Sequence, residues 1–241
     1  MIKFFRKIRQ SLLIENKLSR YLLYAFGEIV LVVIGILIAL QVNNWNELKK
    51  DRFVEHKLLT EVNENLEINA VRLKSDMQKE LKSIESIDFV VDHLDNRRPY
   101  DDFLDTYFRA AFYSPDIVLA TSGFESIKSK GFGIVENDEI RKSILELFDV
   151  TYAFMLSQTI RIEDQFWPSA VIPLLHKHFR VLDDKRFKPV EYEALLNDES
   201  YKNMLLHRKH FRELAYQLKS EALGQTESTM ALIENELKKR K

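Results

Sequence analysis

The chain has 241 residues, enough for one domain of ordinary size plus an anchor, and its 36 Lys and Arg against 37 Asp and Glu give a net charge of -1. No overall field therefore favours nucleic acid or another polyelectrolyte. The absence of Cys removes disulfides, Cys-based zinc sites, iron-sulfur clusters and thiol nucleophiles, and 6 Gly with 5 Pro suit long helices rather than turn-rich sandwiches.

Residues 1–20 are basic, with Lys3, Arg6, Lys7, Arg9, Lys17 and Arg20. Phe4, Phe5, Ile8, Leu12 and Leu13 lie among them, a spacing that either lays a short amphipathic helix on an anionic leaflet or simply accompanies a topology signal.

Residues 21–42 follow as 22 residues with one charge, Glu28. At about 1.5 Å per residue they reach ~33 Å, enough for a ~30 Å hydrocarbon core, and they read as a transmembrane helix. Ala39-Leu40-Gln41 lacks a small third residue, which favours an uncleaved signal anchor over a cleaved signal peptide.

Beyond the span, residues 43–62 hold four basic residues, Lys49, Lys50, Arg52 and Lys57, against the six before it. That bias places the N-terminus in the cytoplasm and residues 43–241 on the far side, which in a bacterium with two membranes is the periplasm. Trp45 fits the outer interfacial belt.

Within the span, Glu28 is costly in hydrocarbon unless paired, protonated or close to the interface. Gly35 and Ala39 share its helix face and form a small-xxx-small pair. Two readings stand: Glu28, Gly35 and Ala39 form a helix-helix interface, in a homo-oligomer or with another membrane protein, or Glu28 snorkels toward the headgroups.

Residues 3–47, KFFRKIRQSLLIENKLSRYLLYAFGEIVLVVIGILIALQVNNWNE, resemble the N-terminal signature of a family of uncharacterised bacterial membrane proteins, common in flavobacteria and their relatives and known only as a domain of unknown function. Residues 121–148, TSGFESIKSKGFGIVENDEIRKSILELF, are similar to that family's second recurrent segment. Where the family usually carries Leu two residues after its loop Gly, this chain has Phe132-Gly133-Ile134. The resemblance implies the topology and no activity, cofactor or catalytic residue.

From residue 52 to 95, Leu59, Val62, Leu66, Leu73, Met77, Leu81, Ile84, Val91 and Leu94 recur at helical spacing without Pro or Gly. They predict one long helix packed along this stripe, continuous with the anchor or close behind it. Asn63, Asn65 and Asn69 suggest a looser, more polar level.

An aromatic helix at 101–113 follows, then a short helix between glycine turns at 120–137, with Asn137 as a helix N-cap. A helix over 138–166 is expected to break or kink at Trp167-Pro168, with a shorter one at 169–179. A polar turn at 182–188, one or two turns at 190–196 and a last helix over 198–239 complete the chain. The fold class is mainly α: an N-terminal transmembrane helix and an elongated helical bundle with two long antiparallel helices. The basic tail Lys238-Lys239-Arg240-Lys241 would return near the membrane surface.

Candidate sites are sparse. His176 with His178, and His207 with His210, could contribute to a metal, but no HExxH or repeated ExxH pattern accompanies them and cations surround them. Arg208, Lys209 and Arg212 could instead hold an anion. Glu163-Asp164 beside Trp167 is either an acid pair or a solvated turn. No Walker, Rossmann or kinase pattern occurs, no Ser occupies a nucleophile elbow, and no cofactor is expected.

The sequence thus describes a membrane-anchored interaction or sensing module, non-enzymatic by its motifs, contacting the bilayer and not nucleic acid. An accessory subunit of a transporter or envelope complex, and a tethered enzyme whose site is assembled from distant residues, are the alternatives.

Overall fold

A computed structural model describes residues 18–113, 117–183 and 185–239. The basic segment before residue 18, Pro115, Arg240 and Lys241 lie outside the described residues. The chain divides into two compact units between Val54 and Glu55.

The first unit is helical throughout its described part and belongs to α1, Leu18–Asp95, a helix of 78 residues. Its most apolar stretch has a mean hydropathy of 2.5 and none of it is buried, and it is the one described helix long and apolar enough to cross a membrane. Trp45 is exposed, with Lys49 Nζ 5.9 Å from its ring centre.

The second unit, mainly α, contains the rest of α1 and all later elements. These are α2 Leu104–Ala111, α3 Ser122–Lys130, a 3-10 turn at Phe132–Ile134 and α4 Asp138–Leu145. A π-helical turn at Glu146–Tyr152 leads into α5, Ala153–Phe166, and a second at Trp167–Val171 leads into α6, Ile172–His178. Strands β1, Phe179–Val181, and β2, Phe187–Pro189, precede α7, Tyr192–Leu196, and the final helix α8, Glu199–Lys239.

Helices α1 and α8 run antiparallel. Lys202 reaches Asp95 at 3.4 Å, Lys209 reaches Asp88 at 2.6 Å, Lys219 reaches Glu80 at 2.5 Å and Lys74 reaches Glu227 at 2.7 Å. One row of buried positions on α1 in this unit alternates steps of three and four: 59, 62, 66, 69, 73, 76, 80, 83, 87, 90 and 94, with Leu58, Asn65, Ala70, Ser86 and His93 buried beside it. A matching row on α8 runs through 201, 205, 208, 212, 215, 219, 222, 226, 229 and 233, with Met204 and Leu218 buried beside it. Two helices with such seams meet as in an antiparallel coiled coil.

This seam corrects the apolar stripe read from the sequence. Met77, Ile84 and Val91 are only partly buried and Leu81 is 42% exposed, while Asp76, Glu80 and Ser83 occupy the interior. Following apolar letters shifts the stripe by one position, onto the neighbouring face, because the seam itself turns polar in its middle third.

At one end of the unit, Ile87, Val90, Leu104, Phe108, Phe112 and Phe179 belong to a single apolar core. Of the aromatic residues predicted on α2, Phe108 and Phe112 enter that core while Phe103 and Tyr107 remain partly exposed. The hairpin straddles the stretch read as a polar turn, its first strand lying just before it: Phe179 pairs with Pro189 and Val181 with Phe187, and both Phe side chains are buried. Three-residue strands leave too little alternation for period-two reading.

Toward the other end, α3 and α4 cover α1. The Asn137 side chain caps α4 by accepting from the amides of Glu139 and Ile140, as its sequence context predicts. Asn65 and Asn69 hold this region tightly, contrary to the looser level expected there. Asn65 Oδ1 accepts from the Gly123 amide at 2.8 Å. Asn69 donates to the Ala120 carbonyl at 2.9 Å and accepts from the Ala120 amide at 2.7 Å.

Gly123 permits that approach, since a Cβ there would lie 2.6 Å from the Val62 backbone nitrogen. The second π turn carries the helical run through Trp167-Pro168, where the sequence suggested a break or a kink. A wider turn accommodates the proline ring and its missing N–H, and the Ser169 hydroxyl donates to the Gln165 carbonyl at 2.6 Å.

Candidate functional site

The charged side chains of the seam converge between the two apolar ends. On α1, one helical turn separates Asp76 from Glu80; on α8, Arg208, Arg212 and Lys219 occupy interior positions; α5 adds Glu163. Lys219 is fully buried and its ammonium donates to both Asp76 and Glu80.

Arg212 binds Glu163 through Nη2 and lies 3.3 Å from Glu80 Oε2 through Nη1. Arg208 donates to the carbonyls of Ala111 at 3.1 Å and Tyr113 at 2.5 Å, approaches Glu163 at 3.7 Å and lies over the Trp167 ring at 5.0 Å. The Tyr113 hydroxyl closes the cluster by donating to Asp76 at 3.0 Å.

Burial works against the charged form of each arginine. It lowers the Arg208 guanidinium to about 10 and shifts Arg212 in the same direction, with Glu80 opposing both shifts. Burial and the charge of Asp76 push the Tyr113 phenol upward. Three carboxylates, Asp76, Glu80 and Glu163, thus face three cations, Arg208, Arg212 and Lys219. Such a balanced cluster adds little net stability compared with well-packed apolar residues, but removing one member leaves a charge stranded in the interior.

The residues singled out from the sequence are distributed differently. Of the anion candidates, Arg208 and Arg212 turn into the cluster, while Lys209 stays outside with Asp88. Glu163 turns inward and Asp164 is exposed. His207 and His210 are exposed on α8, and His176 is exposed on α6. His178 is buried and lies 2.7 Å from Asp198. Among the described residues no three His, Asp or Glu side chains gather as a metal site.

Asp198 also binds Lys177 at 2.5 Å and accepts from the amides of Ser200 and Tyr201 at the start of α8. Lys177, His178 and those amides hold its carboxyl well below the usual range, against the opposing effect of burial. In the first unit Glu28 is half-buried, Ala39 is exposed and nothing lies within 4 Å of a Cβ placed on Gly35.

Asp76, Glu80, Lys219 and Tyr113 escaped the sequence reading. Their signal was positional: each strict three-four register passes through Asp76 and Glu80 on one helix and Lys219 on the other.

The architecture and the cluster define the class: a helical bundle closed along an ion-paired seam, whose first helix begins with an exposed stretch long enough to cross a membrane. The model of a family of unknown function (DUF6090) matches residues 28–158, more than half of the chain, and the chain belongs to that family. Neither a curated protein nor a solved structure matches the chain.

Proposed function

We propose that this chain is a single-pass, membrane-anchored helical interaction or sensing module of a bacterial inner membrane. Its N-terminus is cytoplasmic, residues 21–42 span the bilayer, and residues 43–241 form the periplasmic domain. The wholly exposed apolar start of α1 carries this reading, because such a surface has no favourable place in water. The six-to-four excess of basic residues before the span supports the orientation.

The use of the buried charges supports a non-enzymatic reading. Asp76, Glu80 and Glu163 are each matched by a cation from α8, so their chemistry is spent on one another. Glu28, Gly35 and Ala39 share one face of the span and provide a surface for a second copy or another membrane helix.

Fractionation combined with C-terminal reporters tests this reading. The chain should stay with membranes after alkaline extraction, a C-terminal alkaline phosphatase fusion should be active, and a green fluorescent protein fusion should be dark. A chain released by alkali refutes the anchor, and a fluorescent fusion with inactive phosphatase refutes the orientation. For the helix face, Gly35→Leu and Glu28→Leu should lower the yield of crosslinked oligomer; unchanged yields refute the interface.

A further inference from the structure

Helices α1 and α2 enclose a groove of 680 Å³ within the second unit. On α1 its lining includes residues 79, 82, 83 and 86, and on α2 and the turn just after it residues 106, 109, 110 and 113. Each set follows the i, i+3, i+4, i+7 spacing of one helix face. The groove exists because its floor is made of small side chains. Ser83 and Ser86 are buried, and the Ser83 hydroxyl donates to the Ala110 carbonyl at 3.1 Å.

The walls are cationic. Lys79, Lys82, Arg109 and Lys185 line the groove against a single carboxylate, Glu85. The chain as a whole has a net charge of -1, so this concentration does not reflect a general excess of base. Some lysines elsewhere in the unit are matched, Lys74 by Glu227, Lys188 by Asp102 and Lys209 by Asp88, and others such as Lys57 and Lys130 are not, so what distinguishes the groove is that four cations line one concavity. Lys79 and Lys82 have no carboxylate partner among the described residues.

We propose that this groove binds a small, multiply charged oxyanion, one that carries two or more phosphate or carboxylate groups. Its volume falls within the ~300–1,000 Å³ of small-ligand sites. The lysines supply charge and donors, and Tyr107 in the same lining adds a hydroxyl group suited to oxyanions. Tyr113 also lines the groove, and its hydroxyl donates to Asp76, so the ligand would sit one residue away from the buried cluster.

This site deepens the sensing reading above and rests on it, but its test is independent of anchoring. The purified full chain, in neutral detergent at low salt, is titrated calorimetrically with inorganic pyrophosphate and, separately, with citrate. Saturable binding of at least one anion is expected, and it should weaken as salt is added. Pyrophosphate alone would assign phosphate chemistry, citrate alone carboxylate chemistry, and both together the shared oxyanion chemistry.

Lys79→Gln/Lys82→Gln should weaken binding at least about tenfold, since losing one charge-assisted hydrogen bond suffices for that factor. Both side chains are exposed, so the helical circular dichroism should be retained. Lys57→Gln/Lys130→Gln removes the same charge from exposed positions outside the groove and should leave affinity unchanged. Absence of saturation by either anion at millimolar concentration, or equal weakening by the two double variants, would overturn the site.

Discussion

Replacing Lys219 by Met should unlock the middle of the bundle. The side chain is fully buried, and its ammonium is shared by Asp76 and Glu80, with Glu80 at 2.5 Å. Removal leaves three interior carboxylates facing two cations, Arg208 and Arg212. Stranding a buried charge in this way costs about 3–5 kcal/mol.

For a unit of this size that loss corresponds to a fall of roughly 6–20 °C in melting temperature. Urea unfolding of the full chain in detergent, followed by far-UV circular dichroism, measures it directly. Adding Glu80→Gln to the Lys219→Met variant restores charge balance and should recover about 2 kcal/mol or more. The exposed pair Lys74–Glu227 provides the comparison: Lys74→Met should cost less than about 1 kcal/mol. Equal losses in the Lys219 and Lys74 variants would refute the reasoning.

Gly123→Ala should destabilise the second unit by about 1–3 kcal/mol, because the new Cβ meets the Val62 backbone at 2.6 Å and one chain segment must move; an unchanged urea midpoint would argue against that close approach. Asn69→Ala removes both hydrogen bonds to Ala120 and should cost about 1–3 kcal/mol, with faster hydrogen exchange at the Ala120 amide as its local signature. Asp198→Asn should cost about 0.5–2 kcal/mol at neutral pH, since Asp198 caps α8 and binds Lys177 and His178. Its folded carboxyl titrates below the usual range, so its contribution is complete above the unfolded value near 4 and disappears as pH falls through the folded value. The stability difference between wild type and this variant should therefore narrow on acidification, and a difference that grows with acid would contradict the assignment.

Much of the helical framework was legible because long helices repeat their signal many times. The 41 residues of α8 and the long α1 announce themselves by periodicity and by the scarcity of Pro and Gly. Asn137 could be recognised as a cap because capping is local. Asp76 and Glu80 could not be placed inside, because a carboxylate in a helix ordinarily marks a solvated face. Lys219 and Arg212, well over one hundred residues away, reverse that meaning. The hairpin and the π turn at Pro168 were hidden for a related reason: the surrounding packing, rather than the short segment itself, decides between a break and an accommodation. Of the candidate sites, Arg208, Arg212 and Glu163 were visible as letters, but their partners Asp76 and Glu80 on α1, and Lys219 between them, were not.

The seam also has a consequence for inheritance. The stretch that identifies the family, residues 28–158, contains Asp76 and Glu80, whereas Glu163, Arg208, Arg212 and Lys219 follow it. The shared portion is thus an unfinished half: expressed alone, it would present a helix face bearing two carboxylates and a row of bare apolar positions. A relative that keeps acids at these two places must obtain its cations from whatever follows, so its C-terminal helix can drift in sequence only while charge and spacing along that face are preserved. Exchanging C-terminal halves between relatives would then succeed or fail according to this match of charge and register.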